Sequence, residues 1–229
     1  LIYCPKKQIF NSAQRCRQGW NFGEVRLHSE YDIFMILPDG RIFFYAKKEE
    51  NMAEEVLLMD GQAVSRTIRR LSHEISEKNG DLSSVVLVGI LRRGATMAKM
   101  LSEEIEKIEG VKVPVEFLDI TFYRDDLKKK SDVPQVEKRP FENDINGKCV
   151  IITDDVIFTG RTVRAAIDAV MDIGRPSRIQ LAVLVDRGHR ELPIRPDYVG
   201  KNVPTSLEEK ITVCFEEYDG EQKVVLSKR

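Results

Sequence analysis

The chain is 229 residues long and sets 36 Lys and Arg against 37 Asp and Glu, a formal net charge of −1. That balance excludes a protein that is basic throughout, and the 42% hydrophobic and 32% charged residues are the proportions of a globular protein with a real core. No run reaches the roughly 18 apolar residues of a membrane span and no signal peptide is recognised, so a cytoplasmic protein without a membrane partner is expected. Cys4, Cys16, Cys149 and Cys214 lack CxxC or Cys/His ligand spacing, which speaks against both a zinc site and a disulfide framework.

Residues 1–51 hold nine of the seventeen aromatic residues but show little sustained period. A hairpin is predicted around Pro38-Asp39-Gly40, between the apolar runs 33–37 and 42–45. The codons allowed for Lys47-Lys48-Glu49-Glu50-Asn51-Met52 can contain a ribosome-binding sequence just ahead of ATG. Residues 1–51 are therefore expected to be a translated leader or non-native extension, and residues 52–229 the functional domain. The rival reading is a genuine aromatic-rich accessory hairpin.

From Met52 onward strands and helices alternate. Residues 63–78 predict a helix, because Val64, Ile68, Leu71 and Ile75 form one apolar stripe and Asn79-Gly80 can stop it. Arg66, Arg69, Arg70 and His73 fall on the opposite side of that helix and give it a cationic face, which Lys78 and Lys201 could extend. The unbroken apolar run 85–90 predicts a strand buried on both faces, and Leu91-Arg92-Arg93-Gly94 then offers two guanidinium groups to a polyanion. A helix over 95–108 and a strand over 113–120 follow, then a long polar loop over 123–146 of the length and composition of an active-site lid. Further strands are expected at 149–153 and 179–185, a fifth at 211–215 and a short edge at 224–226, with a helix over 162–173. This is an α/β pattern: a mainly parallel, doubly wound, twisted sheet flanked by helices, with ligands at the carboxyl ends of its strands.

The turn after the third of these strands carries the chemistry. Asp154 and Asp155 stand at the strand's end, and Thr159-Gly160-Arg161-Thr162 opens the next helix. Gly160 permits positive φ, so backbone N–H groups can converge on an anion at the helix N-terminus, helped by two threonine hydroxyls. Two acids beside a phosphate cradle make sense when the acids hold sugar hydroxyls and the loop holds a 5′-phosphate. No GK[ST] follows and no G-x-G-x-x-G is present, so this is neither a Walker loop nor a dinucleotide fingerprint.

The run from Val150 to Thr162 resembles the phosphoribosyl-pyrophosphate (PRPP) signature of type I phosphoribosyltransferases. Residues 121–127, 160–165, 183–195 and 198–206 narrow the resemblance to the members that attenuate pyrimidine operons and also act as uracil phosphoribosyltransferases. The resemblance covers about Met52 to the C-terminus. It implies the type I phosphoribosyltransferase fold with a flexible hood loop, and transfer of ribose 5-phosphate from PRPP to uracil, giving UMP and pyrophosphate, with Mg²⁺ carried by PRPP and no direct protein ligand. It implies catalytic roles for Asp154, Asp155 and Arg124, 5′-phosphate binding by Thr159, Gly160, Arg161 and Thr162, and pyrophosphate binding by Leu91, Arg92, Arg93 and Gly94. The base is expected at Val185, Asp186 and Arg187, read mainly by backbone groups. Leader mRNA of a pyrimidine operon is expected to meet Arg66, Arg69, Arg70, His73, Arg190 and Lys201 on a homodimer or higher homo-oligomer, in response to UMP. The alternative is a plain salvage phosphoribosyltransferase, for uracil or a purine base, whose basic helix is only surface.

Overall fold

The computed structural model describes residues 33–36, 42–45, 55–123 and 141–228. The chain divides into two units, Leu1–Met52 and Ala53–Arg229. In the first, β1 (Ile33–Ile36) and β2 (Ile42–Tyr45) pair antiparallel, with Ile33 opposite Tyr45 and Ile36 opposite Ile42. This is the expected pairing; the turn between the strands, and the expected boundary at Met52, lie outside the described residues.

In the second unit a short strand, β3 (Val56–Met59), precedes helix α1 (Gly61–Asn79). The helix begins two residues ahead of expectation because Asp60 caps it, its carboxylate accepting the Ala63 N–H at 2.7 Å. Gly80, at φ 63°, ends it. The stripe Val64, Ile68, Leu71 and Ile75 is completely buried.

Five parallel strands form the central sheet: β4 (Val85–Ile90), β5 (Val115–Leu118), β6 (Cys149–Ile157), β7 (Arg178–Asp186) and β8 (Tyr198–Asn202), in the order β5-β4-β6-β7-β8. Helix α2 (Arg93–Glu109) links β4 to β5, and α3 (Arg161–Ile173) links β6 to β7. Alternating side chains of β4 serve two cores. Val85 and Leu87 pack in the cluster containing α1 and α2, whereas Val86 and Val88 pack in the one containing α3. A run that is apolar at every position is thus what a strand covered on both faces requires.

The sheet departs from expectation in three places. The strands expected at 211–215 and 224–226 leave the parallel sheet. They are β9 (Glu209–Cys214) and β10 (Lys223–Lys228), and with β3 they form a separate antiparallel sheet in which β10 is central. The short helix α4 (Glu216–Asp219) joins them. Strand β8 replaces them at the parallel sheet's edge. It lacks alternation and contains Gly200, where a Cβ would lie 2.3 Å from the Leu184 carbonyl oxygen. The third difference is that β6 continues past Thr153 to Ile157, so the two acids lie inside a strand. The expected long loop begins at Tyr123, the last residue of a 3₁₀ turn over Thr121–Tyr123; residues 124–140, with Arg124 and most of the expected hood, lie outside the described residues. Among the described residues no helix is long and apolar enough to cross a membrane.

Candidate active site

Three strand ends bring the expected groups together. In register, Gly89 of β4 faces Thr153 of β6, and Ile157 of β6 faces Asp186 of β7. The turn after β4 therefore lies next to the acidic pair, and the turn after β6 next to the one after β7.

At the first contact the backbones touch. The Thr153 hydroxyl donates to the Gly94 carbonyl at 2.8 Å, and a Cβ on Gly94 would come within 2.4 Å of the Thr153 carbonyl oxygen. Gly89 is equally constrained, since its Cβ would lie 2.5 Å from the Ala95 Cα. Two glycines thus let Leu91-Arg92-Arg93-Gly94 press against the strand that carries Asp154. The Leu91–Arg92 peptide is cis, and both residues are exposed. Gly94 is buried, and Arg93 is already in α2. The Arg93 guanidinium is held from the side: its Nη2 donates to Asp219 Oδ1 at 3.1 Å.

Asp154 is buried and Asp155 half-buried, and the Asp155 N–H donates to Asp154 Oδ1 at 3.0 Å. Loss of water pushes the Asp154 carboxyl well above the usual carboxylate range, and the charge of Asp155 pushes it the same way. Burial raises Asp155 as well, opposed by hydrogen bonds from Asp154 and the backbone and by the positive charge of Arg93. The pair therefore holds a proton more readily than two surface acids. It is suited to accepting hydrogen bonds from hydroxyl groups in a dry setting.

Five residues after Asp155, Gly160 adopts φ 91° and caps α3 without any side-chain hydrogen bond. The loop is braced from outside, with the Thr159 carbonyl accepting the Glu191 and Leu192 N–H groups at 3.0 and 3.2 Å. Leu192 and Ile194 pack beneath Gly160. Arg161 turns outward to Glu191 at 2.7 Å, while Thr162 stays half-buried at the helix start. Thr159-Gly160-Arg161-Thr162 thus forms a rigid turn at a helix N-terminus, about one turn of chain from two desolvated carboxylates.

The phosphoribosyl transferase domain family matches residues 57–218. Bifunctional protein PyrR of Caldicellulosiruptor bescii is 57% identical over 169 residues, covering 74% of this chain and 93% of that protein. Bifunctional protein PyrR of Clostridium perfringens is 60% identical over 167 residues, covering 73% and 94%.

The chain belongs to the PyrR family of phosphoribosyltransferases.

Its fold is that of type I phosphoribosyltransferases. A hypoxanthine phosphoribosyltransferase of Trypanosoma cruzi superposes with a TM-score of 0.59 at 20% identity, covering 80% of this chain and 94% of that one.

In this PyrR-family frame the expected base residues, Val185, Asp186 and Arg187, lie at the carboxyl end of β7 with their side chains engaged inside the protein. Val185 is completely buried, with its backbone inside the sheet. The Asp186 carboxylate accepts the Gly188 N–H at 2.9 Å and Arg190 Nη2 at 2.6 Å, and its carbonyl accepts the Val203 N–H. The Arg187 N–H donates to Ile157, and its guanidinium binds Thr205 Oγ1 and the Ser206 and Glu209 carbonyls. These side chains brace the loop from within. The residue overlooked in the sequence is Phe158. Arg187 stacks on its ring at 4.1 Å and His189 meets it edge-on at 5.6 Å, which leaves a half-buried aromatic between the acids and the phosphate turn. An aromatic three residues after the second acid was the available signal.

The basic face of this PyrR-family chain is also more mixed than its arginines suggest. Arg66, Arg69, Arg70 and His73 are all exposed on α1. Arg70, however, pairs with Glu74 and donates to the Val199 and Gly200 carbonyls at 3.0 and 2.7 Å, tying α1 to β8. Arg69 lies 3.4 Å from Glu104. Lys201, on β8, donates to the Leu58 carbonyl, and Lys78 pairs with Asp197. Among the described residues, no hydrogen bond or ion pair joins Arg190 to this face. Its guanidinium binds Asp186 and the Phe158, Gly188 and Ile194 carbonyls.

Proposed function

We propose that this chain transfers ribose 5-phosphate from PRPP to N1 of uracil, and that it binds the leader RNA of a pyrimidine operon in a UMP-responsive way. The observation that carries the enzymatic half is the buried Asp154–Asp155 pair beside the Gly160 turn. In the transfer, the bond from C1′ to pyrophosphate breaks, the bond from C1′ to N1 forms, and the N1 proton leaves. Charge develops at C1′ as an oxocarbenium ion, so holding the partners in line and stabilising charge do most of the work.

Each element then has a task. The Thr159–Thr162 turn fixes the 5′-phosphate with backbone N–H groups and hydroxyls. Asp154 and Asp155 hold the ribose 2′- and 3′-hydroxyls, and either can accept the uracil proton. Arg92 is the exposed cation at the pyrophosphate end, with Arg93 behind it, and Phe158 offers its ring to the base. Arg124, on the hood, stabilises the departing pyrophosphate. Mg²⁺ would arrive with PRPP, without a direct protein ligand, and would supply positive charge to the departing pyrophosphate.

The regulatory half rests on PyrR-family membership and on the exposed Arg66, Arg69 and His73. UMP and PRPP compete for one site, and a conformation preferred by UMP that also binds RNA couples pyrimidine supply to expression. A homodimer or larger homo-oligomer in the cytoplasm suits this role. The acids that pair with this cationic face, Glu74 on α1 itself and Glu104 on α2, favour the second reading, a salvage enzyme without RNA binding.

The deciding assay is base-dependent pyrophosphate release from PRPP and Mg²⁺ with uracil, hypoxanthine, guanine and orotate. Turnover on uracil alone is expected. Turnover on a purine would overturn the uracil assignment.

A further inference from the structure

We propose that Asp219 is a positioning residue for the transfer, holding Arg93 at the pyrophosphate end of the site. The proposal rests on the phosphoribosyl-transfer reading above and extends it to a helix outside the parallel sheet.

The contact is built from the core outward. Phe215 is buried at the end of β9, and its N–H donates to Asp219 Oδ2 at 3.0 Å, which fixes the carboxylate. That carboxylate takes Arg93 Nη2 at 3.1 and 3.4 Å. Glu217, in the same short helix, accepts from Thr96 Oγ1 at 2.8 Å and Lys99 Nζ at 3.1 Å. Arg93, Thr96 and Lys99 are spaced by three, along one side of α2, so α4 is docked on the first turns of the helix that follows the pyrophosphate turn.

Two features separate this pair from an ordinary surface ion pair. First, both partners are partly withdrawn from water, with side-chain exposures of 37% for Arg93 and 25% for Asp219. Arg93 Nε is buried and has no hydrogen-bond partner, so among the described residues Asp219 is the only hydrogen-bonded restraint on this guanidinium. Second, Arg93 also lies near enough to Asp155 for its charge to favour that carboxylate's ionised form. It therefore stands between two carboxylates that compete for it. With Asp219 in place, the cation stays on the α4 side, facing the leaving group. Without it, Asp155 is the other carboxylate that the charge of Arg93 favours, and collapse onto that acid would remove a cation from the pyrophosphate and a free carboxylate from the ribose together.

The test is a double-mutant cycle of Asp219→Asn and Arg93→Ala, read as the KM for PRPP and for uracil. Asn retains an oxygen for the Phe215 N–H while losing the charge, so the melting temperature should stay near wild type. Asp219→Asn is expected to raise the PRPP KM about tenfold, leaving the uracil KM within about twofold. In the Arg93→Ala background it should add nothing, because Asp219 acts through Arg93. A wild-type PRPP KM in Asp219→Asn, or effects that simply multiply in the double variant, would overturn the proposal. The same cycle read as dissociation constants of Mg²⁺–PRPP by calorimetry needs no turnover. Failure of uracil transfer by the wild type would thus fall on the reaction, and failure of the coupling on Asp219.

Discussion

At the residue scale, Asp154 and Asp155 are chemically alike but sit in different surroundings. Asp154 is the more deeply buried and is held well above the ordinary carboxylate range, whereas Asp155 has Arg93 opposing its desolvation. A carboxyl whose native pKa is raised favours the folded state when protonated. Its cost is absent below the ordinary carboxylate range, grows as pH rises from that range toward the native value, and levels off above it. Asp154→Asn should therefore stabilise the fold near neutral pH, on the order of 1–2 kcal/mol, with the gain vanishing below about pH 4. Asp155→Asn should lower turnover by orders of magnitude with the fold intact. Paired melting curves and rates across pH test both, and an Asp154→Asn protein less stable than wild type at pH 7 would contradict the burial argument. Side-chain identity made the acids and the Thr159–Thr162 turn legible in the sequence. The partner of Arg93 was not, because Asp219 lies 126 residues away and only the docking of α4 unites them. Asp186, Arg187 and Arg190 were visible as polar residues after a strand. Nothing in their spacing revealed that Asp186 and Arg190 pair with each other or that Arg187 ties the neighbouring loop to β9.

At the scale of elements, hydrophobic pattern located what was buried on two faces. Strand β4 coincides with its apolar run, and α1 carries its stripe, because burial imposes a period that sequence displays. Sheet membership is different. Residues 211–215 and 224–226 read as strands, yet register and partner are set by distant pairing, and β10 chooses β3 and β9 rather than the parallel sheet. Strand β8 escaped notice because an edge strand anchored by Arg70 and crowded at Gly200 needs little apolar alternation. The tightest junction is between β4, α2 and β6. Gly94→Ala would drive a methyl group into the Thr153 carbonyl, a contact 2.4 Å long that no side-chain rotation relieves. A loss of about 1–3 kcal/mol in stability is expected, together with a raised PRPP KM as the pyrophosphate turn moves away from Asp154. Urea denaturation and substrate titration measure the two effects. A Gly94→Ala protein with wild-type values for both would mean that the strand end is softer than its close contacts imply.

At the scale of the whole molecule, a net charge of −1 gives no general attraction to a polyanion, so RNA must find a local surface. The structure divides the expected contacts by what else they do. Arg70 ties α1 to β8, and Arg190 locks the loop beside Phe158, so replacing either one disturbs the fold around the active site as well as any surface it serves. Arg66 and His73 are exposed on α1 and can be changed without touching that frame. Arg66→Ala and His73→Ala should therefore weaken leader-RNA binding while leaving UMP synthesis at wild-type rates. Each phosphate contact removed should lower the slope of log affinity against log salt by about 0.7–0.9. Arg70→Ala should reduce both activities together. UMP should tighten RNA binding about tenfold in the wild type, a typical coupling between two sites, and the Arg66 and His73 variants should retain that ratio at lower absolute affinity. Filter binding across a salt series, with and without UMP, reads all three quantities. An Arg66 variant that loses UMP synthesis would show that α1 is wired to the active site. Absence of RNA binding at low salt in the wild type would reduce the cationic face to ordinary solvated surface, balanced by Glu74 and Glu104.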